Sequence, residues 1–213
     1  MNKKFGLYTE LLLEWNEKIN LTAITERSEI EKKHFKDSLT CMGSVPKCAS
    51  LVDVGTGAGF PGIPLKIERT DISLTLMDAL NKRVVFLKEV CAKLGLDAEC
   101  VHIRAEDAGK SDKYREKFDV ATSRAVANMS LLAEYCLPLV KVGGVMLAMK
   151  GRDVEDELCE AEGLIKKLGG AVEEIQLHTI EGTDITHSIV VIKKKSLTPK
   201  LYPRSGKKVG KLN

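Results

Sequence analysis

The chain has 213 residues, of which 44% are hydrophobic and 30% are charged. This length suits one domain with a substantial core, and the composition excludes both a disordered and a membrane-embedded chain. The net charge is only +3, but the last 21 residues hold eight basic side chains and no acidic one, which leaves 25 basic against 30 acidic residues in the remainder.

The six cysteines form no CxxC pair and have no histidine beside them at a metal-ligand spacing. We therefore expect no metal site, and we expect reduced thiols that mostly fill the core. Glu10 and Glu14 interrupt the leucines near the start, and no apolar run reaches 18 residues. The sequence thus predicts a cytoplasmic protein without a signal peptide or a membrane contact.

The first 45 residues have a helical pattern, because Leu7, Leu11, Trp15 and Ile19 recur every four positions. This spacing predicts a helix whose apolar stripe packs against another surface. We interpret residues 1–45 as an N-terminal helical extension.

From Leu51 onward, short apolar runs alternate with amphipathic helical patterns, which is typical of βαβ units in a parallel sheet. One such helix is predicted over 82–94, with Gly95 at its end, and another over 154–168. Two β-like runs, 171–180 and 187–193, flank a turn at Gly182 and predict a hairpin that closes one edge of the sheet. The runs that predict the preceding strands are LVDV, ISLTLMD, AECVHI, FDVATS and VMLAM.

The segment LVDVGTGAGFPG, residues 51–62, places a glycine-rich turn directly after an apolar strand. Glycines allow backbone amides to approach a ligand closely at the start of a helix, and Pro61 is well placed to open that helix. Gly57, Gly59 and Gly62 also satisfy GxGxxG, with Asp78 19 residues after Gly59, so a dinucleotide remains possible.

Three acidic residues at successive strand ends favour S-adenosylmethionine over a dinucleotide. Asp53 precedes the loop, where a negative side chain suits a cofactor that carries an ammonium and a sulfonium. Asp78 lies where ribose hydroxyls would bind, and Glu106 lies where an adenine amine would bind. In the alternative interpretation, Asp53 and Asp78 cap helices and Glu106 is merely solvated.

The chain resembles the class I methyltransferases, and in particular the RsmG (GidB) ribosomal RNA methyltransferases, over nearly its whole length. The motifs that carry this resemblance occur together and in order. They are NLTAI (20–24), HFKDSL (34–39), DVGTGAGFPGIPL (53–65), LMDALNKRVVFL (76–87), RAED (104–107), SRAVA (123–127), MKG (149–151) and YPR (202–204).

The resemblance implies an α/β fold with a doubly wound, mostly parallel seven-stranded sheet. It implies a methyltransferase domain over 46–195 and a basic C-terminal tail over 196–213. It also implies methyl transfer from S-adenosylmethionine to N7 of one guanine in 16S ribosomal RNA, without a metal. We expect a monomer that acts on a partly assembled small-subunit particle.

Guanine N7 has an in-plane lone pair and no proton, so it requires no general base. The chain has Ser123-Arg124-Ala125 after the fourth strand, rather than the segments typical of exocyclic-amine or pyrimidine-C5 methylases. We predict Arg124 as the catalytic residue, because it could donate to guanine O6 or to the cofactor carboxylate. An ion pair with Asp119 or another nearby acid is the structural alternative. The predicted cofactor-binding residues are Asp53, Gly55, Gly57, Gly59, Phe60, Asp78, Ala105, Glu106 and Arg124.

His34, Asp37 and Ser38 lie at i, i+3 and i+4 of a predicted helix and should share one face. They either form a wall of the site or join the N-terminal helices to the sheet through a polar network. We expect RNA binding to depend on charge, because aromatic residues make up only 5% of the chain. The predicted RNA-binding residues are Arg83, Lys150, Arg204, Lys207 and Lys208, although the tail could simply be a solubilising extension.

Two other functions are compatible with parts of the pattern. A nicotinamide-dependent oxidoreductase could use the same glycines, but the neighbouring acids and the absence of a catalytic His or Tyr-Lys arrangement disfavour it. A ribosome-assembly factor could retain the fold without turnover, which the intact glycine loop and Arg124 disfavour.

Overall fold

The computed structural model describes residues 2–204. Seven strands form a single sheet: β1 Ser50–Val54, β2 Ser73–Asp78, β3 Ala98–His102, β4 Phe118–Arg124, β5 Val140–Lys150, β6 Gly170–Thr179 and β7 Thr186–Lys194. Their order across the sheet is β3-β2-β1-β4-β5-β7-β6. The first five strands are parallel, whereas β7 runs antiparallel between β5 and β6. The predicted fold class, including the C-terminal hairpin at one edge, is confirmed.

Helices cover both faces of this sheet. They are α1 Lys3–Ile19, α2 Arg27–Ile30, α3 Asp37–Leu39, α4 Gly62–Glu68, α5 Asn81–Leu94, α6 Ala105–Ala108, α7 Met129–Cys136 and α8 Glu155–Lys167. A π-helical turn, Glu31–Lys36, joins α2 to α3, and 3₁₀ turns follow at Thr40–Ser44 and Leu137–Leu139. One apolar core lies between the sheet and α1, α4 and α5, and the other lies under α7 and α8.

The N-terminal helix packs most of its predicted stripe against the core. Leu11 is buried, and Trp15 and Ile19 pack against the core, whereas Leu7 is 38% exposed. Residues four apart drift about 40° around a helix with each step, so the stripe begins at the rim with Leu7 and turns toward the core. Phe5, Tyr8 and Leu12, an i, i+3, i+7 series, are almost completely buried.

The ligand-binding edge of the sheet follows from the strand order. On one side of β1 lie β2 and then β3. On the other side lie β4 and then β5, so the direction in which successive strands are added reverses between β1 and β4. In open α/β sheets, this reversal opens a crevice at the carboxyl ends of the two central strands. The glycine loop follows β1, and Arg124 is the last residue of β4.

Residues 196–204 pack against the body of the protein, whereas the Pro, Gly and Lys content of 197–213 as a whole predicts order only on contact with a partner. Arg115 donates from Nη1 to the carbonyl of Tyr202 at 2.7 Å and from Nη2 to that of Thr198 at 2.7 Å. The Thr198 side chain accepts from the buried ammonium of Lys194. Paired backbone and side-chain groups therefore hold this stretch in place.

Candidate active site

The glycine loop after β1 approaches a cavity with its backbone. Gly57 has φ +60°, and a Cβ added there would meet nothing closer than the Gly55 carbonyl oxygen at 4.0 Å. Gly59 has φ +98°, but a Cβ there would lie 2.5 Å from Ile63 Cδ1 and 2.5 Å from Tyr8 Oη. Gly57 thus keeps space open for a ligand, whereas Gly59 allows the helices to pack closely.

Asp53 lies beneath this loop and holds its two ends together. Its Oδ2 atom accepts hydrogen bonds from Thr56 Oγ1 at 2.7 Å and from the Gly62 backbone N–H at 2.8 Å. Its Oδ1 atom is buried and has no hydrogen-bond partner within residues 2–204. Burial raises the pKa of Asp53 from 3.8 to about 6. The side chain supports the loop from below and does not line the cavity itself.

Asp78, the last residue of β2, fixes the other side of the loop. Its Oδ2 atom accepts from the Gly57 N–H at 3.0 Å, and its Oδ1 atom accepts from the Leu80 N–H at 2.8 Å. Arg83 Nη1 lies 3.5 Å from Oδ2. The carboxylate therefore stands at the cavity wall in a fixed orientation.

Two cavities meet at this loop. The first, of about 430 Å³, is lined by the loop backbone together with Phe60, Asp78 and Arg124. A smaller one, of about 120 Å³, is lined by Ala105, Glu106 and Tyr135 and shares Gly55 and Asp78 with the first. Val126 stands against Gly55, where an added Cβ would lie only 2.8 Å from Val126 Cγ2.

These two cavities suit an elongated nucleoside cofactor such as S-adenosylmethionine. Gly57 leaves the backbone accessible, Asp78 stands between the cavities, and Glu106 lies at the far end. The carboxylates of Asp53, Asp78 and Glu106 favour a ligand with positive charge and hydrogen-bond donors. The residues predicted to bind the cofactor are therefore brought together along one edge of the sheet, with Asp53 below it.

A further cavity of about 450 Å³ lies on the other side of Arg124, and we call it the second cavity. His34, Arg124 and Ala125 line both the first and the second cavity. Ala125 adopts a left-handed conformation with φ +55°, immediately after β4. The Arg124 side chain therefore stands at the boundary between two adjoining ligand-sized spaces.

Arg124 is held by the helical segment that the sequence places far from it. Its Nη1 atom donates to Asp37 Oδ2 at 2.7 Å, and its Nη2 atom donates to His34 Nδ1 at 3.2 Å. Ser38 Oγ lies 3.5 Å from Nη1, and the guanidinium carbon lies 4.9 Å from the centre of the Phe60 ring. The predicted shared face of His34, Asp37 and Ser38 thus converges on one guanidinium. The ion pair with a nearby acid that the structural alternative expected is present, and Asp37 rather than Asp119 forms it.

His34 is neutral at physiological pH, because burial and the nearby charge of Arg124 lower its pKa from 6.5 to about 4. An arginine can only donate, so Nδ1 of His34 accepts and its proton resides on Nε2. That N–H donates to Thr22 Oγ1 at 2.8 Å. The ring stacks on Phe60 with centroids 4.5 Å apart. Both nitrogens are therefore engaged, and His34 serves to orient Arg124.

Asp37 connects Arg124 to the C-terminal hairpin. Its side chain is 1% exposed, and its second oxygen, Oδ1, lies 2.7 Å from Nδ1 of His187. His187 is separated from Asp37 by 150 positions and shows no partner in the sequence pattern. Sequence reasoning missed this residue, because only the antiparallel pairing of β7 with β5 brings it to the site.

The predicted RNA-binding residues occupy very different places. Arg83 lines the first cavity beside Asp78, and Lys150 donates to the Ala127 carbonyl at 2.9 Å and pairs with Glu157 at 2.6 Å. Arg204 is 8% exposed, and its Nη2 atom lies 2.8 Å from Oε2 of the buried Glu134. Its guanidinium is committed to that carboxylate, so its position gives no support to the expected RNA contact. Lys207 and Lys208 lie outside the described residues.

Within residues 2–204, no cluster of three or more His, Cys, Asp or Glu side chains is arranged to hold a metal ion. No helix in the same range is both long and apolar enough to cross a membrane.

Comparison with known proteins identifies a family. A family model described as GidB, rRNA small subunit methyltransferase G, matches residues 1–186. The ribosomal RNA small subunit methyltransferase G of Clostridium perfringens is 50% identical over 212 residues, which cover 98% of this chain and 89% of that protein. The protein of the same name from Clostridium beijerinckii is 53% identical over 205 residues, covering 95% and 86% of the two chains.

Solved structures support the fold. A SAM-dependent methyltransferase from Aquifex aeolicus superimposes with a TM-score of 0.55 at 17% identity, covering 78% of this chain and 93% of that one. The tRNA methyltransferase TrmK from Bacillus subtilis gives a TM-score of 0.59 at 10% identity, covering 78% and 68%. At such low identity, the likeness concerns the arrangement of the sheet and helices.

Proposed function

The chain belongs to the rRNA small subunit methyltransferase G family, and from this premise we propose that it methylates N7 of one guanine in 16S ribosomal RNA. It is an S-adenosylmethionine-dependent enzyme of the class I methyltransferase fold.

We assign the cofactor to the first cavity and to the smaller cavity beside Glu106. The backbone at Gly57 and the carboxylate of Asp78 would hold its central part, and Ala105 and Glu106 would contact the adenine end. Gly55, Gly59 and Phe60 shape the walls, and Asp53 contributes negative charge from below the loop. S-adenosylmethionine, when bound, supplies an electrophilic methyl group on a sulfonium.

The state of the side chains at the boundary of the two cavities carries the proposal. The polar groups there already have partners. Arg124 donates to Asp37 and His34, the second nitrogen of His34 donates to Thr22, and the second oxygen of Asp37 pairs with His187. None of these groups is poised to remove a proton. A nucleophile that needs no base fits such a site, and the N7 atom of guanine carries a free lone pair.

Arg124 would align the base rather than activate it. A guanidinium donates to acceptors only, so it suits O6 of guanine, which leaves the N7 lone pair free to attack, and it does not suit the amino group of adenine. Fixing the attacking nitrogen in line with the methyl group can contribute about 7–11 kcal/mol through entropy that is lost before the reaction. Arg124 stands where the first and the second cavity adjoin, so it would hold the base at a fixed position relative to the cofactor.

Lys207 and Lys208 in the basic C-terminal segment are proposed to contact RNA phosphates. Arg83 and Lys150 line the two cavities, where they would meet the nucleotide closest to the reacting base. Ribosomal RNA in a cytoplasmic, partly assembled small-subunit particle is the proposed substrate, because the target base must be accessible or flipped out. We propose that the enzyme acts as a monomer.

Transfer of a tritiated methyl group to small subunits from cells that lack the enzyme tests the proposal. Nuclease digestion should locate the label on one guanine of 16S RNA. Subunits that carry 7-deazaguanine at this position should accept no label, because carbon replaces the attacking nitrogen. Equal labelling of the deaza substrate would place the methyl group on another atom. Calorimetry should show binding of S-adenosylmethionine and none of NAD.

A further inference from the structure

The second cavity contains a carboxylate that the proposed reaction does not use. Glu157, on α8, lines this cavity together with Arg124 and His187. Its Oε2 atom accepts from the Met129 backbone N–H at 3.1 Å and lies 2.6 Å from the Lys150 ammonium. Among residues 2–204, no hydrogen bond engages Oε1.

Glu157 is therefore oriented before any ligand arrives. Two donors from different elements, the start of α7 and the end of β5, fix one of its oxygens. The side chain is 41% exposed, so the other oxygen remains accessible. A carboxylate that is held on one side and accessible on the other can accept hydrogen bonds from a ligand with little loss of conformational entropy.

The other acidic groups of the second cavity are less suited to this role. Asp37 uses both of its oxygens, on Arg124 and His187. Asp153 is exposed at the surface, and no hydrogen bond within the described part of the chain fixes its side chain. Glu157 is thus the acceptor whose position the structure determines.

Guanine presents complementary chemistry on two different edges. Its N7 and O6 atoms are acceptors on one edge, and its N1–H and N2–H groups are donors on the other. If N7 faces the first cavity past Arg124, the donor edge points away from it, into the second cavity. Adenine offers an acceptor at N1, which a carboxylate repels, so a fixed carboxylate there distinguishes the two purines.

We infer that the second cavity is the binding site for the target base, and that Glu157 selects guanine by accepting hydrogen bonds from its Watson–Crick edge. This inference rests on the proposed function, since it requires a guanine whose N7 atom is directed at the first cavity. Glu157 is a specificity-determining residue that contacts the substrate. Lys150 and the Met129 N–H position it.

The test combines a change in the enzyme with a change in the base. Small subunits are reconstituted with guanine or with inosine, which lacks the N2 amine, at the position located by digestion. Methyl transfer is then measured as kcat/KM with the full-length wild-type enzyme and with Glu157→Gln. The glutamine keeps an acceptor for Met129 and directs its amino group at the donor edge of the base.

We expect the wild-type enzyme to use inosine about tenfold less well than guanine. The Glu157→Gln substitution should lower kcat/KM about tenfold or more for guanine and much less for inosine. The reason is that the substitution in the enzyme and the loss of the N2 amine from the base remove the same contact. Equal use of guanine and inosine by the wild-type enzyme would overturn the inference, and so would losses that simply multiply. Failure of the wild-type enzyme to label either substrate would instead reject the proposed function.

Two further variants separate specificity from folding. Glu160→Gln removes an exposed carboxylate from the same helix and should retain the wild-type preference for guanine. Lys150→Met removes one of the two donors that position Glu157, so the ratio of guanine to inosine use should fall partway toward that of Glu157→Gln. Calorimetric affinity of Glu157→Gln for S-adenosylmethionine should match that of the wild type. A loss of this affinity together with an unchanged base preference would show that Glu157 is merely structural.

Discussion

The guanidinium of Arg124 and the carboxylate of Asp37 meet at 2.7 Å, although 87 positions separate the two residues in the sequence. One lies at the end of β4 and the other follows the π-helical turn Glu31–Lys36. Their contact joins the N-terminal helices to the sheet at the point where the first and the second cavity adjoin. The orientation of the predicted catalytic arginine therefore depends on a segment outside the central sheet.

Replacement of Arg124 by lysine should lower kcat/KM for ribosomal RNA by about 100-fold, because lysine lacks the planar donor fork that holds both Asp37 and the base. The positive charge beside Asp37 is retained, so we expect the thermal midpoint to change little. Initial rates of labelled methyl transfer and a thermal melt measure the two effects. A nearly normal rate would exclude Arg124 from the alignment of the base.

His187 should act through Asp37 as a positioning residue. We expect His187→Ala to lower kcat several-fold and to leave the affinity for S-adenosylmethionine unchanged, since Asp37 loses its second partner while the first cavity is untouched. His187→Asn places an amide N–H near the Nδ1 position and should restore most of the rate. His178→Ala, which alters the cross-strand neighbour of His187 on β6, serves as the matched control. Equal effects of the alanine and asparagine variants would contradict this role.

Alanine substitutions at Gly57 and Gly95 distinguish the cost of backbone strain from the loss of a ligand contact. Gly57 has φ +60° and Gly95 has φ +59°, and an added Cβ is free of close contacts at both positions. Alanine at either position should cost about 1–2 kcal/mol of folding free energy because of the left-handed backbone. Only Gly57→Ala should also lose affinity for S-adenosylmethionine, measured by calorimetry. Similar affinities of the two variants would show that the loop does not contact the cofactor.

The free energy of unfolding should depend on pH through the titration of Asp53. Since burial raises its pKa from 3.8 to about 6, the folded state keeps a proton that the unfolded state releases. The free energy of unfolding should therefore fall as the pH rises through this window. For this group alone, the decrease between about pH 4.5 and 7.5 amounts to about 2 kcal/mol.

Asp53→Asn removes this titration and preserves an acceptor for Thr56 and Gly62. The difference in unfolding free energy between the variant and the wild type should shift in favour of the variant as the pH rises. Urea titrations at several pH values measure it, and His34 titrates equally in both proteins. A difference that stays constant with pH would mean that burial does not raise the Asp53 pKa.

Deletion of residues 205–213 should weaken RNA binding and reduce its salt dependence, because the deletion removes Lys207, Lys208 and Lys211. Each lost phosphate contact should lower the slope of log K against log salt by about 0.7–0.9. Arg204→Ala provides the contrast: it should destabilise the fold by about 3 kcal/mol, since the buried Glu134 loses this ion pair, and leave the slope unchanged. An unchanged slope after the deletion would show that the segment takes no part in binding.

Much of the fold follows from local sequence patterns. The apolar runs from Leu51 onward and the turns between them predict the strands, because parallel strands buried on both faces carry continuous hydrophobic residues. The face of α1 was predictable in part: Leu11 and Trp15 pack against the core, but their spacing does not show that Leu7 lies at its rim. The glycine loop and its neighbouring acids were predictable, because backbone geometry and strand ends restrict the residues there.

The surroundings of Arg124 were not predictable in the same way. His187 reaches Asp37 only because β7 pairs with β5, and the register of that pairing is not visible in either strand. The charge of Arg204 suggests phosphate binding as readily as an internal ion pair, and only the burial of Glu134 distinguishes the two. Long-range pairs of this kind depend on tertiary packing.

The ion pair between Arg204 and Glu134 limits how far the lysines after Arg204 can reach. Lys211 follows Arg204 by seven positions, so its backbone lies within about 25 Å of Arg204 even when the stretch between them is fully extended. Any ribosomal phosphate that these lysines touch must therefore lie within that radius of Arg204, extended only by the length of a lysine side chain. A cross-link from Lys211 to a nucleotide beyond this radius of a docked enzyme would require the Arg204 anchor to open.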